Sequence, residues 1–426
     1  MNRSKLAVAP CLGLVVLLGT ARESCAIGPG GTGFPTVGSY PTTISGLGPL
    51  DGDWSAAGVV DGFVSAINNP SPDAAGRGVN TSVSVGNIWL HLAKPTGLFQ
   101  FYFNGGQFAS PTMGLTSNYG VFNSVAPYGS AYNTTSPAVM SYWVTVQPSQ
   151  YWSISAGKMA PLEGVEGAAI YLNPTFFVSD LNNMQVVSGY GPQLNLYFGP
   201  STFNLQWSDA DNTNRHNIVS AAFTYNLNAD GSDYLLGFGH TNLGHTGNPG
   251  QNHKGVGLGF SEANSSLIGV GGQWLVGAWS IVPEIQYQWL PRNSVSSSTA
   301  NPKPLTTYYN AAAMVDLTYK INNTWSVTAQ PQYVYQNGDK HDPNAALFGN
   351  WLQYDSPAAP GTFTPGTSML GLQGNVTWQH QNFYSTATIA YTHINGFGEG
   401  TGYGLQGHAA DQVVGVLDVG YALGKY

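Results

Sequence analysis

Chemistry in this chain would start with its histidines. His240, His245 and His253 crowd into one polar stretch, and His341 lies in another. A metal site wants two or three imidazoles converging with a carboxylate. Nothing beyond the crowding selects these residues, so they are expected as solvated loop histidines, with no metal and no cofactor. Nucleophilic catalysis needs a Ser–His or Asp–His pair held together. Ser and His are both present, but no spacing selects a pair, and an enzyme is not expected. No run of Lys or Arg points to nucleic acid. No Gly-rich phosphate loop followed by Lys-Ser/Thr occurs among the 55 glycines.

The acidic residues say more, because of where they stand. Residues 279–290, WSIVPEIQYQWL, place Trp279, Ile281, Ile285, Tyr287 and Trp289 on one parity. Ser280, Glu284, Gln286 and Gln288 take the other, with Val282 as the exception. That is the period-2 pattern of a strand. The same alternation recurs in FQFYFNG (99–105), TFNLQWS (202–208), VSAAFTYNL (219–227), YNAAAMVDLTY (309–319), WSVTAQPQYVY (325–335) and VVGVLDVGYALGKY (413–426). In every case an aromatic, apolar row opposes Ser, Thr, Asn, Gln or a carboxylate. Asp61, Glu284, Asp316 and Asp418, with Gln286 and Gln330, all fall on the polar rows. Pro283 and Pro331 lack an N–H and would interrupt a ladder, so each is expected at a bulge.

Composition says what the two faces meet. Charged residues are 8% of the chain, against roughly 25% in ordinary soluble domains. Outside the N-terminus no run of about 18 apolar residues marks a membrane helix. At the N-terminus, Arg3 and Lys5 precede CLGLVVLLG (11–19), and Ser24-Cys25-Ala26 offers a small-x-small cleavage site. Residues 1–26 are therefore expected as a secretory signal peptide. Both cysteines, Cys11 and Cys25, lie within it, leaving no disulfide or thiolate ligand after export. Residues 27–53, rich in Gly, Pro and Thr, are expected as an irregular lead-in to a single domain, 54–426.

The connections alternate. Short ones near 94–97, 148–149, 199–201, 228–232, 277–278, 321–323 and 380–382 separate long polar ones near 68–80, 106–138, 161–185, 208–217, 240–266, 291–306, 336–367 and 394–411. Short, long, short, long is an up-and-down transmembrane β-barrel of the bacterial outer membrane, with short periplasmic turns and long extracellular loops. The count is about 16 strands, within 14–18. Ten steps from Trp279 to Trp289 span roughly 33 Å of strand. Tilted about 40°, that covers the roughly 25 Å apolar band, with Trp at both interfaces. The greasy rows then touch lipid and the polar rows line an aqueous lumen, since a barrel this wide is not filled by its own side chains.

One long connection differs. Residues 161–185, PLEGVEGAAIYLNPTFFVSDLNNMQ, carry Val165, Ile170, Tyr171, Leu172, Phe176, Phe177 and Val178. So much apolar surface needs a wall to pack on, and the nearest is the barrel's inside. Gly164 and Gly167 would let the chain turn inward. Glu163, Glu166 and Asp180 would then stand at the constriction, with Lys158 at the preceding strand end as a partner.

The stretch SISAGKMAPLEGVEG (153–167), followed by NPTFFVSD (173–180) and SGYGPQLNLYF (188–198), resembles the OmpL-like β-barrel porins of bacterial outer membranes. The resemblance covers about 150–250 and implies a Gram-negative outer-membrane channel for small solutes and ions. Two features depart from it. Charge is scarcer than the family leads one to expect, as an acidic exterior would favour. The chain also ends in Tyr426 where such barrels end in Phe or Trp. Lipid, lipopolysaccharide, small solutes and ions are the expected partners, and a homotrimer follows by analogy only. Two other readings remain open: a plugged or gated uptake channel with 27–53 in the lumen, and a secreted β-rich binding or adhesion protein. The formal charge of −8, and the carboxylates on the wet rows, lead to an expectation of modest cation preference.

Overall fold

The computed structural model describes residues 42–44, 54–70, 78, 80–107, 113, 139–159, 162–167, 173–185, 189–209, 216, 218–229, 231–243, 266–290, 308–337, 366–397 and 402–423. Residues 1–26, most of 27–53, and His245, His253 and His341 lie outside them.

Seventeen strands form one antiparallel sheet. In chain order they are β1 (Thr42–Ile44), β2 (Trp54–Ile67), β3 (Thr81–Lys94), β4 (Phe99–Gln107), β5 (Val139–Ser149), β6 (Trp152–Met159), β7 (Gly189–Phe198), β8 (Ser201–Ser208), β9 (Ile218–Asn226), β10 (Tyr234–Asn242), β11 (Ser266–Val276), β12 (Trp279–Leu290), β13 (Tyr308–Lys320), β14 (Trp325–Gln336), β15 (Ser368–His380), β16 (Phe383–Asn395) and β17 (Asp411–Leu423). From β2 onward each strand pairs with the next in sequence, and β17 pairs back onto β2 from Val414↔Ile67 to Leu423↔Gly58. The result is a closed barrel of sixteen strands, with β1 a three-residue addition beside the start of β2. Closure leaves no edge strand in the barrel wall, which a sheet in hydrocarbon requires.

The alternating connections follow from local chemistry. On the short side, Gly97, Gly199, Gly231 and Gly277 all take positive φ, which glycine adopts without steric cost. The strand ends that flank the long connections all lie at the opposite end.

The two faces separate as the alternation requires. On β12, Ser280, Val282, Glu284, Gln286 and Gln288 are buried inside, while Trp279, Ile285 and Tyr287 are exposed outside. Rings on neighbouring strands meet at both ends of this wall. Trp279 lies 4.8 Å from Tyr319 at one end. At the other, Tyr287 lies 5.6 Å from Tyr309, and Tyr309 lies 6.1 Å from Tyr335.

The prolines behave differently from expectation. Pairing of β12 with β13 runs in unbroken register through Pro283↔Val315, and β14 with β15 through Pro331↔Leu372. No extra residue is inserted, so neither proline is a bulge. The ladder lapses only on the other flank, beside β11 and β13 respectively, and resumes there in the same register. A missing N–H removes one bond without displacing the chain. The register shifts lie elsewhere, between Val60 and Gly62, Asn104 and Gly105, and Val146 and Ser149.

The inside is also less uniformly polar than expected. Leu236, Phe238, Leu267, Met314, Val334, Met369 and Ile394 point inward and form one apolar cluster with Leu162, Val165, Leu181 and Met184 of the third long connection.

Candidate functional site

That third connection, between β6 and β7, enters the barrel. Gly164 makes the turn at φ 79, and a Cβ there would fall 2.2 Å from Gln185 Nε2, so the position needs glycine. Gly167 has no positive φ among the described backbone. Instead its N–H and C=O are both taken by the Asn173 amide, at 2.8 and 2.7 Å. Beyond it, Phe176, Phe177, Val178, Leu181 and Met184 are all fully or almost fully buried. Phe176 packs edge-on against Phe63 of β2 at 5.1 Å, in a second cluster with Met113, Ala390, Val414 and Val416. The loop thus reaches from β6 across to the wall made by β9–β17 and β2.

Wall side chains hold the loop largely by its backbone. Gln373 of β15 accepts from Phe177 N–H at 3.2 Å and donates to Phe177 C=O at 2.7 Å. Gln332 of β14 accepts from Asp180 N–H at 3.0 Å. Gln288 of β12 donates to Met184 C=O at 2.9 Å, and Asn375 to Pro174 C=O at 3.1 Å. Glu284 accepts from Val165 N–H at 2.6 Å and from Gln185 at 3.2 Å, and Gln286 also donates to it.

The loop's own carboxylates are placed in turn. Glu163 meets His240 Nδ1 at 2.9 Å and Ser220 Oγ at 3.3 Å. Glu166 accepts from Ser179 N–H at 3.0 Å, from Ser179 Oγ, and from Gln330 at 2.7 Å. Burial pushes the Glu166 carboxyl up to about 7, against the Ser179 and Gln330 hydrogen bonds that pull it down. Asp180 is buried in the same loop. Glu284 and Asp316 add their fields to that of Glu166. One buried group therefore gathers Glu166, Glu284, Asp316, Gln286 and Gln330, all named from sequence.

Other expected residues stand apart. Asp61 faces inward at the β2–β3 register shift, where it accepts from Asn87 N–H at 2.6 Å and Tyr384 OH at 2.7 Å. A Cβ on Gly86 would lie 2.0 Å from its Oδ1. Asp418 is inward and near Asp61. Lys158 is buried at the end of β6. It pairs across from exposed Tyr142, on the outward parity of β6, with its Nζ 5.7 Å from the Tyr190 ring centre.

Three features escape a reading of sequence. His240 belongs to strand β10, not to a loop. Its inward partner Glu163 is 77 residues away in sequence. The inward amides Gln288, Gln332, Gln373 and Asn375 are wall anchors. Their parity was visible in the alternation, but their target was not. Among the described residues no group of three or more His, Cys, Asp or Glu could hold a metal ion.

Similarity to other proteins agrees with this architecture. Over 90% of this chain and 100% of the other, the fold matches Salmonella typhi OmpF in complex with daunomycin, at TM-score 0.51 and 9% identity. An anion-selective porin from Comamonas acidovorans matches over 87% and 99%, at TM-score 0.53 and 10% identity. The outer membrane channel DcaP of Acinetobacter baumannii matches over 89% and 100%, at TM-score 0.50 and 11% identity. At such identities the likeness is one of fold alone. No curated protein sequence matches. A family model described as "Putative beta-barrel porin-2, OmpL-like" matches residues 54–423, essentially the whole barrel, and the chain belongs to that family of outer-membrane porins.

Proposed function

We propose that this porin is a passive diffusion channel for small hydrophilic solutes and ions, with a modest preference for cations. The observation that carries the reading is the third connection, folded into the closed barrel with Glu163, Glu166 and Asp180 inside it. Inward-facing carboxylates add to them at Asp61, Glu284, Asp316 and Asp418. A low-dielectric wall carrying an excess of one charge concentrates counter-ions. Fold does not decide the sign, since the Comamonas porin of like fold is anion-selective. Residues 1–26 serve as the export signal in this reading, and their loss makes the formal charge two units more negative than −8.

The test is a reversal potential in a planar bilayer under a salt gradient. Cation preference is expected at neutral pH, and a Glu163→Gln, Glu166→Gln double substitution should reduce it without loss of folding. Anion preference in the parent protein would overturn the selectivity. Absence of any steady conductance from a correctly folded barrel would favour a plugged uptake channel instead.

A further inference from the structure

The inward loop divides the lumen. Its described anchors lie on β9, β10, β12, β14 and β15, and its aromatic packing on β2, β16 and β17. The remaining arc of wall, β3–β8, has a different chemistry. Asp, Glu and Arg are absent from these six strands. Their two lysines stand near strand ends. Lys94 donates to the carbonyls of Thr96 and Phe99 at 2.7 and 3.0 Å, and Lys158 lies beside the Tyr190 ring. The inner face of β3–β8 is otherwise a field of neutral amides and hydroxyls.

A stacked aromatic pair stands within that field. Trp143 of β5 has the inward parity of buried Ser141 and Thr145 and is itself half-buried. Its indole lies on Tyr102 of β4, with ring centres 3.8 Å and planes 16° apart. Tyr102 is held in turn, edge-on by His91 at 4.7 Å and at its hydroxyl by the Asn104 amide at 3.2 Å. The indole is therefore a fixed plate, covered on one side by Tyr102. On its other side the cross-strand neighbour of Trp143 is Gly157, and that of Gly157 is Gly191. Neither has a side chain to lay over the ring. Neither can gain one, since a Cβ on Gly157 would fall 2.3 Å from Tyr142 O and one on Gly191 1.9 Å from Trp207 O. Two such strands, at about 4.8 Å spacing, leave a bay roughly 10 Å wide beside the indole.

The next inward row gives the bay a polar rim. Thr145 and Ser155 share a hydroxyl hydrogen bond at 2.7 Å. Gln193 donates to Asn195 at 2.6 Å, and Asn195 donates to Ser155 at 3.3 Å. Gln193 is half-buried, and among the described residues nothing donates to its Oε1. The Trp143 N–H likewise meets no acceptor among them. An aromatic surface with a few polar groups beside it is the usual make-up of a small-molecule site. Here it matches a solute whose ring faces carry C–H and whose edge carries hydroxyls. The slightly positive C–H groups are drawn to the negative face of the indole, and hydroxyls both give and take hydrogen bonds at the rim. An anion would find no arginine on these strands, and a simple cation no carboxylate.

We infer that the bay formed by Trp143, Gly157, Gly191 and Gln193 is a subsite for a neutral pyranose sugar, stacked on the indole inside the barrel. The inference names a solute class for the channel and rests on that reading only where current is the readout. Cellobiose is the probe, because its flat rings expose C–H on both faces. Sorbitol is the control, with like hydroxyls and no ring. In a planar bilayer, cellobiose should block the parent's current saturably and sorbitol should not. Calorimetric titration of the detergent-solubilised barrel reads the same binding without current. Trp143→Ala should weaken it about tenfold, near the upper end for one aromatic contact, and Trp143→Phe by less. Gln193→Ala should weaken it with the Trp143–Tyr102 pair intact. Val144→Ala, on the exposed outer face, should leave it unchanged. Heat-modifiable migration on a gel shows which variants fold. If Trp143→Ala does not, Trp143→Phe and Gln193→Ala carry the test, and parent-like binding by both would overturn the assignment. So would an equal response to sorbitol, no saturable binding of cellobiose, or parent-like binding by folded Trp143→Ala. A conducting barrel that does not bind cellobiose removes the subsite alone. A barrel that binds cellobiose through Trp143 but never conducts keeps the subsite and removes the open channel.

Discussion

Glu166 is the residue on which the selectivity reading is most sensitive to pH. Its carboxyl sits inside the barrel, and burial raises it to about 7 against the Ser179 and Gln330 hydrogen bonds. A raised acid is neutral below that value and charged above it. Its contribution to a cation-attracting field is therefore present above about pH 7 and fades as pH falls through it, well before an ordinary glutamate at about 4.3 would respond. Cation preference should consequently fall between about pH 8 and pH 6, and the Glu166→Gln variant should show a smaller fall over that range. Reversal potentials across the range read this directly. A flat profile in the parent would place Glu166 outside the ion path. The roles of single residues were legible from sequence only in part. Parity put Glu284, Asp316, Gln286 and Gln330 on the inner face because each stands in a strand of strict alternation. Lys158 has the parity of exposed Trp152 and Ile154 in WSISAGKM but is itself buried, so alternation alone does not assign its surroundings.

Among the elements, the inward loop is held by two kinds of force, and their sizes decide what mutation can do. Phe176, Phe177, Leu181 and Met184 are buried essentially completely. Each such side chain contributes about 1.5–3 kcal/mol on leaving water. The amide tethers contribute less individually, but losing one strands a buried partner at about 1–3 kcal/mol per group. Gln373 holds both the N–H and the C=O of Phe177, whereas Gln332 holds only the N–H of Asp180. Gln373→Leu should therefore loosen the loop more than Gln332→Leu, while the aromatic packing keeps it in the lumen. The expected result is larger open-channel current noise and faster proteolysis within 161–185 for Gln373→Leu, with unchanged heat-modifiable migration. Equal behaviour of the two variants would mean that packing alone fixes the loop. Sequence located this loop because its apolar content was out of place for a rim. It could not name the wall, since strands 10 to 15 contribute from residues far along the chain. The proline bulges failed for a related reason. The rule concerns hydrogen bonds, and in this barrel one unmade bond beside Pro283 or Pro331 is absorbed without a change of register.

At the scale of the whole molecule, closure decides which parts are dispensable. β17 meets β2 directly over Gly58–Ile67, and Thr42–Ile44 adds only three pairs beyond that seam, from Ala56 to Trp54. The sixteen-stranded ring is complete without β1, so a chain carrying residues 1–26 joined directly to residue 54 retains every pairing that removes open edges. Such a deletion should reach the outer membrane and show heat-modifiable migration like the parent. The mean conductance of that folded barrel then distinguishes the open channel from its rival. An open pore shaped by the third connection should conduct as the parent does, because the loop's described anchors lie on β9, β10, β12, β14 and β15. A several-fold rise would instead make 27–53 a luminal plug, and the protein a gated channel. Failure to fold at all would give the short β1–β2 pairing a role in closing the seam beyond what three residue pairs suggest. By contrast, removal of 411–426 should abolish folding in every case, since it leaves β16 and β2 as unpaired edges facing hydrocarbon.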